Sequence, residues 1–355
     1  MQGPFSTSDP RVGPAVPRIV ALGGGTGLPT VLEGLSDALG QSARRGVPGF
    51  TADTITAVVS VTDDGGSSGM LRRDLGILPP GDIRNCLVAL SDRNSLMTDL
   101  LQYRFASGEG LAGHPLGNLL LAGLTELTGN LALATERLSQ ILDVRGQVLP
   151  ATTEDVSLRA EFSCGTIVEG ETAIVNRRAP IRWMSLTRPV QPLPKALQAV
   201  TDADVIVVGP GSLYTSVLPP LLMDGFAEAM ANSNAVCVYV SNLMTEPGET
   251  DGFSVEDHLN VLRQHVGRDL FDFAIVNTGS VPYWLSRAYA ARGSFPVPWT
   301  SVHMIGPTRL MGYDLAAEIH GHKIRHAASD LAAAILDVYY RARVEDSLSS
   351  AQAAS

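Results

Sequence analysis

The chain has 355 residues, 45% of them hydrophobic, which is enough for one large domain or two ordinary ones and too apolar for a disordered protein. Its 26 basic against 36 acidic side chains give a net charge of −10 without a long run of either sign, which argues against a nucleic-acid partner. Three cysteines, Cys86, Cys164 and Cys237, stand far apart without a CxxC pair, and the most apolar windows are too short or too often broken by glycine to span a bilayer; a reduced, cytoplasmic protein without membrane insertion is expected.

Residues 1–17 are rich in Pro, Ser and Gly, lack apolar periodicity and carry no secretory leader pattern, so they read as a flexible tail. The run Ile19 to Leu22 then reads as a buried strand that breaks into the turn GGGTG, Gly23 to Gly27, and a helical pattern from Leu28 to Leu39. Glycines let backbone N–H groups approach an anion, and the helix adds its positive end, so Gly24, Gly25, Thr26 and Gly27 are candidate phosphate contacts. The turn lacks the spacing of a dinucleotide fingerprint and the lysine of a Walker A loop, which counts against an NAD-dependent oxidoreductase.

A second strand, Ile55 to Val61, ends in TDDGGSSG. Asp63 and Asp64 are candidates for a divalent cation such as Mg²⁺ or for a ribose hydroxyl, against the plainer reading of a solvated Asp-Gly turn; Ser67 and Ser68 add hydroxyls and amides that suit an anion nest. In PPGDIRNC, Asp82 reads as a helix N-cap, whereas Arg84, with Asn85 beside it, suits a phosphate or carboxylate or else a structural ion pair with Asp63, Asp64 or Asp82. The stretch from Ile83 to Leu142 reads as several helices, interrupted by HPLGN, in which His114 reads as a hydrogen-bonded structural histidine more readily than as a catalyst, and Asn118 reads a base or sugar edge or caps a helix.

Residues 150–190 alternate apolar and polar positions and predict an antiparallel insert with strands over Val156–Phe162, Thr166–Gly170 and Thr172–Val175. Buried strands resume at Val205 to Val208, followed by a second glycine turn, Gly209, Pro210, Gly211 and Ser212, that repeats the logic of the first. The strand from Ala235 to Val240 leads into a polar loop, Ser241 to Gly252, which supplies Asn242 and Thr245 as candidates to orient a sugar or metal. Phe273 to Val276 is a further strand, and the basic patch His320, His322, Lys323, Arg325 and His326 offers Arg325 to a phosphate more than it offers zinc ligands. Residues 344–355 read as a second flexible tail, leaving 18–343 as a single domain. Continuous β-branched runs alternating with helices predict an α/β, Rossmann-like doubly wound, mainly parallel sheet with a small antiparallel β insert, and ligands of such folds sit beyond the carboxyl ends of the strands.

The strings GGGTGLPTVLEGL, VSVTDDGGSSGMLRRDLGILPPGDIRN, HPLGNLLLAGL, VVGPGSLYTSVLPPLL and YVSNLMTEPGETDGF resemble the bacterial gluconeogenesis factor family, the YvcK-like proteins, in a superfamily with 2-phospho-L-lactate transferase. The resemblance implies a cytoplasmic, non-catalytic regulatory protein that binds UDP-sugars, notably UDP-N-acetylglucosamine, needs no cofactor, and supports cell shape and envelope synthesis on gluconeogenic carbon sources. Envelope-synthesis enzymes as partners and a homo-oligomer are expectations of the same kind. The alternative is a Mg²⁺-dependent transferase of the phospholactate type, acting on a nucleotide-diphosphate-linked donor with a deazaflavin acceptor. Those relatives share the glycine turn and the position of Asp63 and Asp64 but lack GGSSG and PPGDIRN, and Arg325 with His326 matches the family's late Arg-His element.

Overall fold

A computed structural model describes residues 16–44, 54–92, 94–300, 303–319 and 323–353. Strand β1 (Ile19–Gly23) leads into helix α1 (Gly27–Arg44), and β2 (Ile55–Val59) is followed by α2 (Gly66–Leu75), α3 (Gly81–Leu90), α4 (Leu96–Gln102), α5 (Leu116–Thr128) and α6 (Leu131–Ile141) before β3 (Gln147–Pro150). Next come β4 (Leu158–Phe162), β5 (Ile167–Glu169), α7 (Glu171–Arg177), β6 (Ile181–Leu186) and α8 (Pro194–Thr201). Strand β7 (Val205–Val208) ends in a π-helical turn, Leu213–Val217, and runs on through α9 (Leu218–Leu221), α10 (Phe226–Asn232), β8 (Val236–Val240), α11 (Val255–Val266), β9 (Phe273–Asn277) and α12 (Tyr283–Ala290). The last elements are β10 (Met304–Ile305), β11 (Thr308–Tyr313), β12 (Ala316–Ile319), β13 (Lys323–His326) and α13 (Ala328–Ala353).

The main sheet has the order β10-β11-β9-β8-β7-β1-β2-β3 and is parallel except where β10 meets β11. Successive side chains of β1 enter different cores: Ile19 and Ala21 pack with α1, α3 and α13, whereas Val20 and Leu22 pack with the π-helical turn, α9 and the insert. A strand buried on both faces needs apolar residues at every position, which is why the Ile/Val runs do not alternate. On α1, Leu28, Val31, Leu32, Leu35 and Leu39 recur at helical spacing and bury one stripe against α3 and α13. The chain builds β1, β2 and β3 outwards in one direction, then returns to place β7 on the other side of β1. The order therefore reverses between β1 and β7, and a crevice opens at their carboxyl ends, where doubly wound folds bind ligands.

The predicted α/β class is the observed one, with its small antiparallel insert: β4 sits between β5 and β6 and turns Leu158, Ala160 and Phe162 into the second core. One predicted strand is corrected. Residues Thr172 to Val175 lie in α7, because Gly170, at φ 91°, ends the strand and Asp64 of the distant β2 loop accepts the N–H of Thr172 at 2.8 Å, capping the helix from outside. The tail expected from 344 is likewise helical as far as Ala353, although Val344 and Leu348 are exposed; good helix formers extend the packed turns before it. Most of the first tail lies outside the described residues, as do His320 and His322. Among the described residues, no helix is long and apolar enough to cross a membrane.

Candidate functional site

The two glycine turns meet at the β1/β7 crevice. A side chain on Gly27 would run into the carbonyl of Pro210, so the turns pack backbone against backbone. Gly25, at φ 64°, lets the first turn curl, and its N–H donates to Asp82 Oδ2 at 2.6 Å. Asp82 is therefore not the N-cap of α3, a position taken by Pro80; it is the carboxylate that ties α3 to the first turn. The second turn is held by Asn242, whose amide accepts the Gly211 N–H at 3.0 Å and donates to the Gly211 carbonyl at 2.8 Å. Asn242 thereby acts as a clamp on the turn, with both ends of its side chain engaged.

Around these turns lies a cleft of about 470 Å³ that gathers Gly25, Thr26, Gly27, Gly211, Ser212, Asn242, Thr245 and Arg325. Gly24 and Gly209 sit beneath its surface in the same turns. Thr26 is exposed at the first turn of α1, so its hydroxyl is placed to meet a ligand at the positive end of an 18-residue helix. The Thr245 hydroxyl instead accepts the Phe295 N–H at 3.0 Å.

The other predicted residues fall elsewhere. Arg84 and Asn85 line a neighbouring cleft that shares only Thr26 with the first. Asp63 accepts the Gly65 N–H at 2.8 Å, and Asp64 Oδ1 takes both the N–H and the hydroxyl of Thr172, at 2.8 and 2.6 Å. Ser67 is buried between His114 Nδ1, at 2.8 Å, and Asn118 Nδ2, at 3.0 Å, while Ser68 accepts the Gly81 N–H at 3.2 Å. These side chains brace the loop after β2 and line neither cleft.

Residues 19–306 match the family model described as 2-phospho-L-lactate transferase CofD. The chain belongs to the CofD-like family. It is 43% identical to the gluconeogenesis factor of Halalkalibacterium halodurans, over 90% of this chain and 95% of that one, and 41% identical to the gluconeogenesis factor of Bacillus subtilis, over 91% and 98%. A crystal structure of a UPF0052-family member from Bacillus halodurans superposes with a TM-score of 0.82 at 43% identity, covering 90% of this chain and 99% of that one.

In this CofD-like chain the cleft also takes residues that no glycine motif announces. Arg178 and Asn176, at the end of α7, bring the insert to its wall, and Arg292, just beyond α12, lines it as well. Arg178 sits in the left-handed region at φ 47°, and a Cβ on Gly248 would come within 2.6 Å of its Cα, so the insert rests directly on the β8 loop. Only the pairing of Arg177 with Arg178 in an otherwise mixed stretch hints at this role in the sequence.

Beneath the first turn, carboxylates crowd together. Burial raises Asp63 above its ordinary value against the hydrogen bonds from Gly65 and Ser68, with Asp64 adding to it; burial raises Asp82 to about 6 despite the Gly25 N–H, and pushes Glu171 up strongly, with Asp63, Asp82, Asp64 and Glu249 adding to it. Glu246 and Glu249 of the β8 loop are raised by burial as well. A divalent cation would suit this charge, although among the described residues no three His, Cys, Asp or Glu are arranged as a ligand set. A Mg²⁺ ion there would keep most of its water.

Proposed function

We propose that this CofD-like chain is a cytoplasmic UDP-sugar-binding regulatory protein, with UDP-N-acetylglucosamine as its ligand and cell shape and envelope synthesis during gluconeogenic growth as its field of action. The observation that carries the reading is the convergence of two glycine turns and three arginines on one cleft at the strand-order reversal. Arg178, Arg292 and Arg325 line that cleft beside a single described carboxylate, Glu246, whose charge acts on Arg325, and none of the three makes an ion pair with a described residue. In a chain of net charge −10, such a concentration of guanidinium groups and turn amides suits a diphosphate. The cleft volume, about 470 Å³, falls in the range of small-molecule sites. The gluconeogenesis-factor relatives support the physiological role.

Isothermal titration with UDP-N-acetylglucosamine, with and without Mg²⁺ and beside GDP and NADH, tests the proposal. Selective binding of the UDP-sugar is expected; indifference to it would remove the reading. The family model's description favours a second reading, a phospholactate-type transferase in which Asp63 or Asp64 would hold Mg²⁺ and the ion would supply charge stabilisation to the donor's pyrophosphate, the acceptor hydroxyl forming the new phosphoester as the bond to the nucleotide breaks and the nucleotide leaves. Incubation with a guanylate-linked phospholactate donor, a deazaflavin and Mg²⁺ decides it: no product above a no-protein control excludes that chemistry.

A further inference from the structure

The second cleft, of about 510 Å³, lies between the first turn of α1 and the α3–α4 pair. Two cations face it from different elements, Arg84 in the first turn of α3 and Arg104 just beyond α4. Arg84 donates through Nη2 to Asn85 Oδ1, and its buried Nε has no hydrogen-bond partner among the described residues. Arg104 donates through Nη1 to the carbonyl of Gly113. Neither makes an ion pair with a described residue.

The Arg84 side chain has little room to turn away. A Cβ on Gly117 would come within 2.8 Å of its Cδ, so α5 pins the aliphatic stem in place. Its neighbour in sequence, Asp82, points to the first glycine turn instead and accepts the Gly25 N–H. Burial and then the like charge of Arg104 press on the Arg84 guanidinium, and the Asp82 carboxylate offsets them in part. Two guanidiniums held near one another, neither in an ion pair with a described carboxylate, form a socket for a dianion, and their planar forks match the oxygens of a phosphoryl group.

The rest of the lining narrows the class of ligand. Gln102 and Asn85 offer amides to hydroxyl groups, Val88 and Ala89 offer an apolar floor, and Glu33 on the α1 wall disfavours a polyanion. We propose that this cleft is a second ligand site that takes the phosphate monoester of a small sugar or polyol, with Arg84 and Arg104 holding the phosphoryl group. It is distinct from the nucleotide-sugar cleft, although Thr26 belongs to the wall of both.

Calorimetric titration of the full chain with a hexose 6-phosphate, the free hexose, inorganic phosphate and citrate tests this assignment. One hexose phosphate per chain is expected to bind, inorganic phosphate to compete with it, and the free hexose and citrate to leave it undisturbed. Arg104 is exposed, so Arg104→Gln should fold normally by circular dichroism and melting temperature, weaken the phosphate ester at least tenfold, and leave UDP-N-acetylglucosamine affinity within about twofold. Arg104→Lys should recover part of the loss, and Arg84→Gln should weaken the ester as well. The proposal is overturned if no phosphate ester binds, if citrate binds in its place, if Arg104→Gln leaves its affinity unchanged, or if saturating UDP-sugar displaces it competitively. Because the phosphate titration needs no nucleotide, it stands or fails independently of the UDP-sugar reading.

Discussion

The loops that follow β1 and β2 leave neighbouring strands at the same sheet edge, and both are rich in glycine and hydroxyl residues, yet they end in opposite conditions. The turn after β1 keeps Thr26 exposed and lies against the turn after β7, so both face the cleft. The loop after β2 turns inwards: Asp64 caps α7, Ser67 joins His114 to Asn118, and Ser68 supports the start of α3. Polar composition at a strand end therefore does not distinguish a ligand loop from an internal brace. The distinction is made by whether distant parts of the chain supply partners, and buried polar groups demand them.

The sharpest way to break this contrast is Gly27→Ala, which forces a methyl group against the Pro210 carbonyl and parts the two turns. A loss of about 3 kcal/mol in denaturant unfolding is expected, together with loss of UDP-sugar binding. Normal stability and affinity would mean that the turns need not touch. The pH dependence gives a second test. Asp82 ties the first turn to α3, and its folded value, about 6, lies above the ordinary carboxyl value of 3.8. Its contribution to stability is therefore full below the unfolded value and is lost as pH rises through about 6. The unfolding free energy from urea titration should fall between about pH 4 and 6, by on the order of 2 kcal/mol, and Asp82→Asn should flatten that part of the curve.

For the inward loop, Ser67→Ala leaves His114 Nδ1 and Asn118 Nδ2 without their shared partner. A loss of about 1–2 kcal/mol is expected, with UDP-sugar affinity within about twofold of the parent by titration. Retained stability with lost affinity would make this a ligand loop after all. On the cleft side, Arg178→Ala should show the reverse pattern: affinity weaker by about tenfold, equivalent to ~1.4 kcal/mol, with a melting temperature close to the parent because the side chain is exposed.

Much of the frame was legible because its signals are local. The runs at Ile19, Ile55, Val205 and Phe273 can only be doubly buried strands, and glycine turns directly after two of them mark the sheet edge. What escaped depends on long-range contact. Thr172 to Val175 alternates like a strand, but its cap comes from Asp64, 108 residues away in sequence. Arg178 belongs to no motif and reaches the cleft only because the insert folds back onto Gly248. In sequence Arg84 could be read equally as a cation for an anion or as a partner for Asp63, Asp64 or Asp82, and its place in a cleft apart from that of the glycine turns follows from the packing of α3 and α4.

The packing of α1 against α13 sets an order of events during synthesis. Helix α1, whose first turn forms part of both clefts, is translated with Leu28, Val31, Leu32 and Leu35 on one stripe, while Leu331, Ile335 and Val338, which join the same core, follow only after every strand of the main sheet. Gly34 marks the closeness of that seam, since any side chain there would strike the Ala328 carbonyl. A nascent chain still lacking α13 exposes this stripe to water and to chaperones. The helix whose first turn borders both clefts is thus fully packed only after the whole main sheet has been made.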